Sequence, residues 1–132
     1  FAIKGISSVE DAIKAADMGA SAVILSNHGG RQLDFAASPI SILPDVAEAV
    51  GNRLEIILDG GVRRGTDVIK ALALGATACM IGRPYLFGLG VSGETGVAKA
   101  LTILRTEVER CMGLIGCCSI KEVSKEFLNE RR

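Results

Sequence analysis

No apolar run in this chain approaches the ~18 residues of a membrane-spanning helix, which excludes a single-pass span within it. There is no excess of charge of either sign, since 15 Lys and Arg balance 15 Asp and Glu. Nucleic acid and acidic membrane surfaces are therefore not expected partners. No secretory leader pattern is present, and the chain does not open on Met. Phe1-Ala2-Ile3 already reads as strand, so the expectation is one domain over 1–132 that is part of a longer protein. The 4 cysteines show no Cys-x-x-Cys and no Cys/His spacing, which excludes a zinc or disulfide framework. Cys79 falls in an apolar run, Cys111 on a helical pattern, and Cys117 and Cys118 are adjacent. Reduced structural thiols in a cytoplasmic setting are expected, with peripheral attachment to an inner membrane left open for a full-length protein. Histidine is the scarcest chemical resource: His28 is the only one in 132 residues.

Four short apolar runs alternate with helical patterns: Ala2-Ile3, Ala22 to Leu25, Glu55 to Leu58, and Ala78 to Ile81. They are continuous rather than alternating, as expected of parallel strands covered on both faces. A first helix starts at Ser7, where Ser7-x-x-Glu10 reads as a capping box. Val9, Ala12, Ile13 and Ala16 form its inner face, and Gly19 ends it. A second begins near Ser38-Pro39, and Pro44 either kinks it or marks its true start. A third runs over roughly 66–74, with Val68, Ala71 and Leu72 inward and Gly75 as cap. A fourth carries Val97, Leu101, Leu104, Val108, Met112 and Ile115 on one face. A short last helix follows Ser119-x-x-Glu122, and Arg131-Arg132 reads as a frayed end.

The sequence also repeats itself at an offset of 56 residues: Asp11-Ala12-Ile13-Lys14-Ala15 matches Asp67-Val68-Ile69-Lys70-Ala71. Met18-Gly19-Ala20 likewise matches Leu74-Gly75-Ala76, and Gly5-Ile6 matches Gly61-Val62. Two copies of a strand–helix–strand unit suit an α/β fold of the (β/α)8 TIM-barrel type, which needs eight strands and about 250 residues. Four strands make this chain a half-barrel. An open doubly wound sheet is the alternative, but no Gly-x-Gly-x-x-Gly follows the first strand.

In barrels, chemistry sits in the loops after the strands, and the polar candidates here fall there. Lys4 follows the first strand, Ser26 to Asp34 the second, Asp59 to Arg64 the third, and Gly82-Arg83 the fourth. An imidazole at His28 can take a proton near neutral pH. Arg31 offers a planar fork for a carboxylate, or could pair with Asp34. The glycines of Asp59-Gly60-Gly61-Val62-Arg63-Arg64 let backbone N–H groups approach an anion at a helix start. Arg63 or Arg64 adds charge, and Gly82-Arg83-Pro84 repeats the pattern. Asp59 is unusual beside a phosphate and could hold a hydroxyl instead. Lys4 could snorkel at the rim or stabilise an electron-rich cofactor ring.

The strings Lys4-Gly5, Ser26-Asn27-His28-Gly29-Gly30-Arg31-Gln32-Leu33-Asp34, Asp59-Gly60-Gly61-Val62-Arg63-Arg64-Gly65-Thr66-Asp67 and Gly82-Arg83-Pro84 resemble the FMN-dependent α-hydroxy-acid dehydrogenase and oxidase family. The resemblance covers essentially the whole chain and implies the C-terminal half of that family's barrel. It implies FMN as cofactor and oxidation of an L-2-hydroxy acid, L-lactate first and glycolate second. By the same resemblance, His28 is the base and Arg31 binds the substrate carboxylate. Lys4, Ser26, Asp59, Gly60, Gly61, Val62, Arg63, Gly82 and Arg83 bind the cofactor, and no residue ligates a metal. A quinone, cytochrome or oxygen is the implied electron acceptor; a homo-oligomer is a further expectation, from the open sheet edges of a half-barrel. As a lone half-barrel, the chain is expected to be inactive by itself or to dimerise through its open edges. A barrel isomerase that binds FMN would not need the His28–Arg31 pair. A non-catalytic FMN- or phosphate-binding half-barrel is the other competing expectation.

Overall fold

A computed structural model describes residues 1–129. Four strands, β1 (Ala2–Ile6), β2 (Ala22–Ser26), β3 (Glu55–Asp59) and β4 (Ala78–Met80), form one sheet. They are parallel, and their order in space is their order in sequence. Parallel neighbours require a crossover. Helices α1 (Val9–Asp17), α2 (Pro39–Val50) and α3 (Gly65–Ala73) provide the three crossovers, and α4 (Arg83–Ile115) follows the last strand. The register puts Ser26 beside Asp59 and Asp59 beside Met80, so the carboxyl ends of β2, β3 and β4 form one row.

The core lies between sheet and helices. Val23, Leu25, Ile56 and Leu58 point to one face of the sheet and are buried against Leu43, Val46 and Val50 of α2 and Ala12 and Ala15 of α1. The strands are apolar throughout, but their burial alternates. Ile24 and Ile57, on the opposite face, are only half-buried. That face carries Lys4, Ser26, Asp59 and Met80, and no helix of the described residues covers it.

Several local expectations shift. β1 extends to Ile6, so Lys4 lies within the strand; the register with β2 then slips at Gly5. The α1 cap is Ser8, not Ser7: Ser8 Oγ accepts from Asp11 N at 3.2 Å. With Ala12 and Ala15 inward, Ile13 turns outward and is 37% exposed. α2 runs through Pro44 rather than starting there. Of the expected inner face of α3 only Ala71 is fully buried; Val68 and Leu72 are half-buried, and Ile69 and Ala73 are buried instead, with α4 packed on the helix. β4 stops at Met80, one residue early. α4 begins at Arg83, ahead of the amphipathic stretch seen in the sequence, and is broken at Ser92 and Gly93. Its exposed face includes Leu101. The short last helix is replaced by two single 3-10 turns, Ile120–Glu122 and Lys125–Phe127. Arg131 and Arg132 lie outside the described residues. No helix of the described residues is long and apolar enough to cross a membrane. All four cysteines are free, with Cys117 buried and Cys118 exposed.

Candidate functional site

The sheet register determines the first cluster. Ser26 and Asp59 stand side by side at the ends of β2 and β3, and Lys4 reaches them along the helix-free face. Lys4 Nζ donates to Ser26 Oγ at 3.0 Å and to Asp59 Oδ2 at 2.5 Å, and Ser26 Oγ donates to Asp59 Oδ2 at 2.8 Å. Burial alone would push the Asp59 carboxyl up. The hydrogen bonds from Lys4 and Ser26, with the Lys4 and His28 charges, outweigh it and hold Asp59 below the usual aspartate value. The cluster thus keeps an ionised carboxylate beside an ammonium at the strand ends.

The second element is the turn after β2. His28, Gly29 and Gly30 have φ of 57°, 70° and 71°, three successive left-handed residues. Glycine adopts this region freely, whereas histidine does so at a cost. Local hydrogen bonds hold the histidine there. Its N–H donates to Ser26 Oγ at 3.1 Å, and Gly30 N donates to Asn27 Oδ1 at 3.2 Å. Asn27 Nδ2 also donates to Ala37 O at 3.4 Å, tying the turn to the chain that returns to α2. The His28 and Arg31 side chains then emerge exposed and line one cavity. The five ion pairs of the described residues do not include an Arg31–Asp34 pair.

The third element joins β3 to α3. Asp67 Oδ2 accepts from Arg63 N at 3.0 Å and from Arg64 N at 2.9 Å. Glu107 of α4 accepts from Gly65 N at 2.7 Å, and its carboxylate pairs with the Arg64 guanidinium at 2.8 Å. Two of the chain's own carboxylates therefore occupy the N-terminus of α3, the place where the sequence suggests an external anion. The backbone of Gly60 and Gly61 and the Arg63 side chain remain on the cavity wall. A fourth group meets them from the start of α4. Arg83 Nη2 donates to Gly29 O at 2.8 Å, which joins the α4 start to the histidine turn.

These elements enclose two adjoining cavities. The one of about 200 Å³ is lined by His28, Arg31, Arg63 and Arg83, together with Asp59 to Val62 and Gly82. The other, about 440 Å³, lies on the far side of Gly60 and Gly61 against Asn27, Pro39 and Lys70. All eleven residues singled out in the sequence thus sit at one end of the sheet. Nine line the smaller cavity, while Lys4 and Ser26 stand behind Asp59. Among the described residues, no group of His, Cys, Asp and Glu could hold a metal ion. The sequence reading missed Asn27, Asp67 and Glu107 as site builders. An Asx residue before a glycine turn and an acid at the third helical position were the available signals for the first two. Glu107 had none, because its partners are 42 and 43 residues away.

An α/β sheet thus brings an imidazole, three guanidiniums and glycine-rich loops together at its strand ends, the end of the sheet where the sites of barrel enzymes lie. The chain belongs to the FMN-dependent dehydrogenase family, whose description it matches over residues 1–130. It is 48% identical over 127 residues to an L-lactate oxidase of Nostoc sp., covering 96% of this chain and 35% of that protein. It is 52% identical over 126 residues to glycolate oxidase 3 of Arabidopsis thaliana, covering 96% and 34%. A solved structure of a substituted flavocytochrome b2 with sulfite bound superposes with a TM-score of 0.93 at 50% identity, covering 97% of this chain and 34% of that one. The chain thus spans about a third of the length of these relatives, and the four-stranded sheet corresponds to part of their TIM barrel.

FMN is the cofactor of this family, and the residues present fit it. Guanidiniums of Arg63 and Arg83 suit a phosphate, and the ionised Asp59 suits sugar-chain hydroxyls. The backbone at Gly60 is closely approached: a Cβ there would stand 3.3 Å from Pro39 Cγ and 3.4 Å from Asn27 Oδ1. A bare backbone is what lets N–H groups meet an anion directly.

Proposed function

We propose that this chain supplies the FMN-phosphate cradle and the substrate-binding end of an enzyme that oxidises L-2-hydroxy acids to 2-oxo acids, with L-lactate to pyruvate as the assigned reaction. It is the C-terminal part of the barrel, over 1–132. The observation that carries this reading is the shared cavity. His28 and Arg31 line the same wall-to-wall space as Arg63, Arg83 and the Gly60-Gly61 backbone.

When bound, FMN would supply the acceptor for the two electrons and for the one substrate proton that His28 does not take. Gly60, Gly61, Val62, Arg63, Gly82 and Arg83 cradle its phosphate, and Ser26 and Asp59 bind its polar edge and ribityl chain. Lys4, held by Asp59, contributes a positive charge that favours an electron-rich ring. Arg31 grips the substrate carboxylate in a bidentate manner, which orients the carbon bearing the hydroxyl. His28 takes up a substrate proton at a ring nitrogen and becomes imidazolium, beside the ionised Asp59. The left-handed His28 backbone directs the side chain toward the cavity that Arg31 also lines. The proposed terminal electron acceptor is a cytochrome, a quinone or oxygen. The reading covers a part of the site, so the isolated chain is expected to turn over slowly or not at all until the rest of the barrel is in place.

The test is anaerobic flavin reduction by L-lactate in the FMN-loaded full-length protein that carries this chain. His28→Gln lowers the reduction rate by about 10²–10⁴ while leaving FMN affinity unchanged, and Arg31→Met weakens lactate binding. Reduction at the wild-type rate in His28→Gln contradicts the assignment. Glycolate is the competing substrate, supported by the 52% identity to a glycolate oxidase. The ratio of kcat/KM for the two acids decides between them.

A further inference from the structure

Glu107 lies on α4, far in sequence from every residue of the cradle. Its Oε2 accepts from Gly65 N at 2.7 Å and from Arg64 Nε at 3.1 Å, and its Oε1 meets Arg64 Nη2 at 2.8 Å. The Glu107 side chain is 18% exposed, whereas that of Arg64 is 70% exposed. Gly65 is pressed against the backbone of Glu107 and Val108, with no room for a Cβ. Arg64 lines neither cavity, while its neighbour Arg63 lines the smaller one. Two adjacent arginines thus have opposite assignments, and the carboxylate of Glu107 is what separates them.

We propose that Glu107 is a positioning residue for the phosphate cradle: it locks Arg64 and the Gly65 N–H onto α4, so that Arg63 and the Gly60-Gly61 backbone face the bound phosphate. This rests on the reading of the smaller cavity as an FMN site. Arg64 is then a strut and not a phosphate ligand. The loop from Asp59 to Arg64 is anchored at one end by the strand and at the other by a helix that follows it in the chain. Asp67, accepting from Arg63 N and Arg64 N, completes the anchor. Consistent with an engaged pair, the Arg64 guanidinium and the Gly65 N–H hold the Glu107 carboxyl below the usual glutamate value.

Riboflavin, which is FMN without its phosphate, is the discriminating probe. Dissociation constants for FMN and riboflavin are measured by fluorescence for the wild type, Glu107→Gln, Arg64→Met and the double variant, with thermal unfolding alongside. Glu107→Gln and Arg64→Met each weaken FMN by about fivefold, leave riboflavin unchanged, and do not add in the double variant. Equal losses for FMN and riboflavin, additive single effects, or no loss at all overturn the proposal. Arg64→Met changes an exposed side chain and keeps the test available should Glu107→Gln fold poorly. A wild type that binds FMN no better than riboflavin overturns the FMN reading itself, and the positioning role with it.

Discussion

The packing of α3 on α4 yields a prediction with a definite sign. Alanine at Gly65 would normally stabilise a helix start, by roughly 0.4–1 kcal/mol through the unfolded state. Here the added Cβ would stand 2.5 Å from Glu107 C and Cβ, and nearer still to Val108 N. Ordinary contact begins near 3.4 Å, so α4 must move outward by about 1 Å. These neighbours are mostly backbone, so no side-chain rotation relieves the overlap. Overpacking of this kind costs up to about 3 kcal/mol, and overlap with backbone atoms places Gly65→Ala at that upper end, which leaves a net loss of about 2 kcal/mol. In a chain of this length that lowers Tm by about 4–8 °C. The same displacement pulls Glu107 from Gly65 N, so FMN affinity falls while riboflavin affinity does not. Thermal unfolding followed by circular dichroism measures the first effect. An unchanged or raised Tm would refute the close approach of α3 and α4, and with it the Glu107 anchor.

Three other outcomes follow from the same structure. Leu25→Ala empties a fully buried position between sheet and helices and lowers stability by about 3 kcal/mol, measurable by urea unfolding. Asp59 is held below its ordinary value of 3.8 by Lys4 and Ser26. Its contribution is therefore fully present above that pH and is lost as pH falls below it. The acid-side fall in urea midpoint is shallower in Asp59→Asn, and Lys4→Met moves the wild-type fall to higher pH. Burial pushes the Cys79 thiol up to about 11, so alkylation near neutral pH, read by mass spectrometry, modifies exposed Cys118 and spares Cys79.

Legibility in the sequence followed the range of the interactions. The strands at Ala22 to Leu25 and Glu55 to Leu58 were readable because short apolar runs bounded by turn residues carry their own signal, and both were found within one residue of their ends. Strand order and parallel pairing were readable from the strand–helix alternation. The alternating burial of those same strands was not, since apolar residues on the uncovered face look like core in sequence. The α1 cap slipped by one because Ser7 and Ser8 are both competent caps, and only the chain's exit from β1 decides between them. α4 was seen only where its spacing is regular; the glycine-rich stretch Gly88 to Gly96 hides its first turns, where two backbones approach too closely for side chains. At the site, the eleven residues singled out by the sequence stand at one end of the sheet, nine of them on one cavity. The groups that hold them were not legible: Asn27 acts through its own turn, Asp67 through a cap, and Glu107 across a tertiary contact.

The proposed phosphate cradle for FMN consists of the glycine loops with Arg63 and Arg83, and His28 and Arg31 stand beside it. Titration of the protein with FMN and with riboflavin, followed by anaerobic L-lactate, tests it most directly. FMN is expected to bind markedly more tightly than riboflavin, Arg83→Ala to abolish the difference without unfolding the protein, and L-lactate to bleach the flavin band once the barrel is complete. Equal affinity for the two flavins, or a preference for FMN that survives Arg83→Ala, would contradict the proposed cradle.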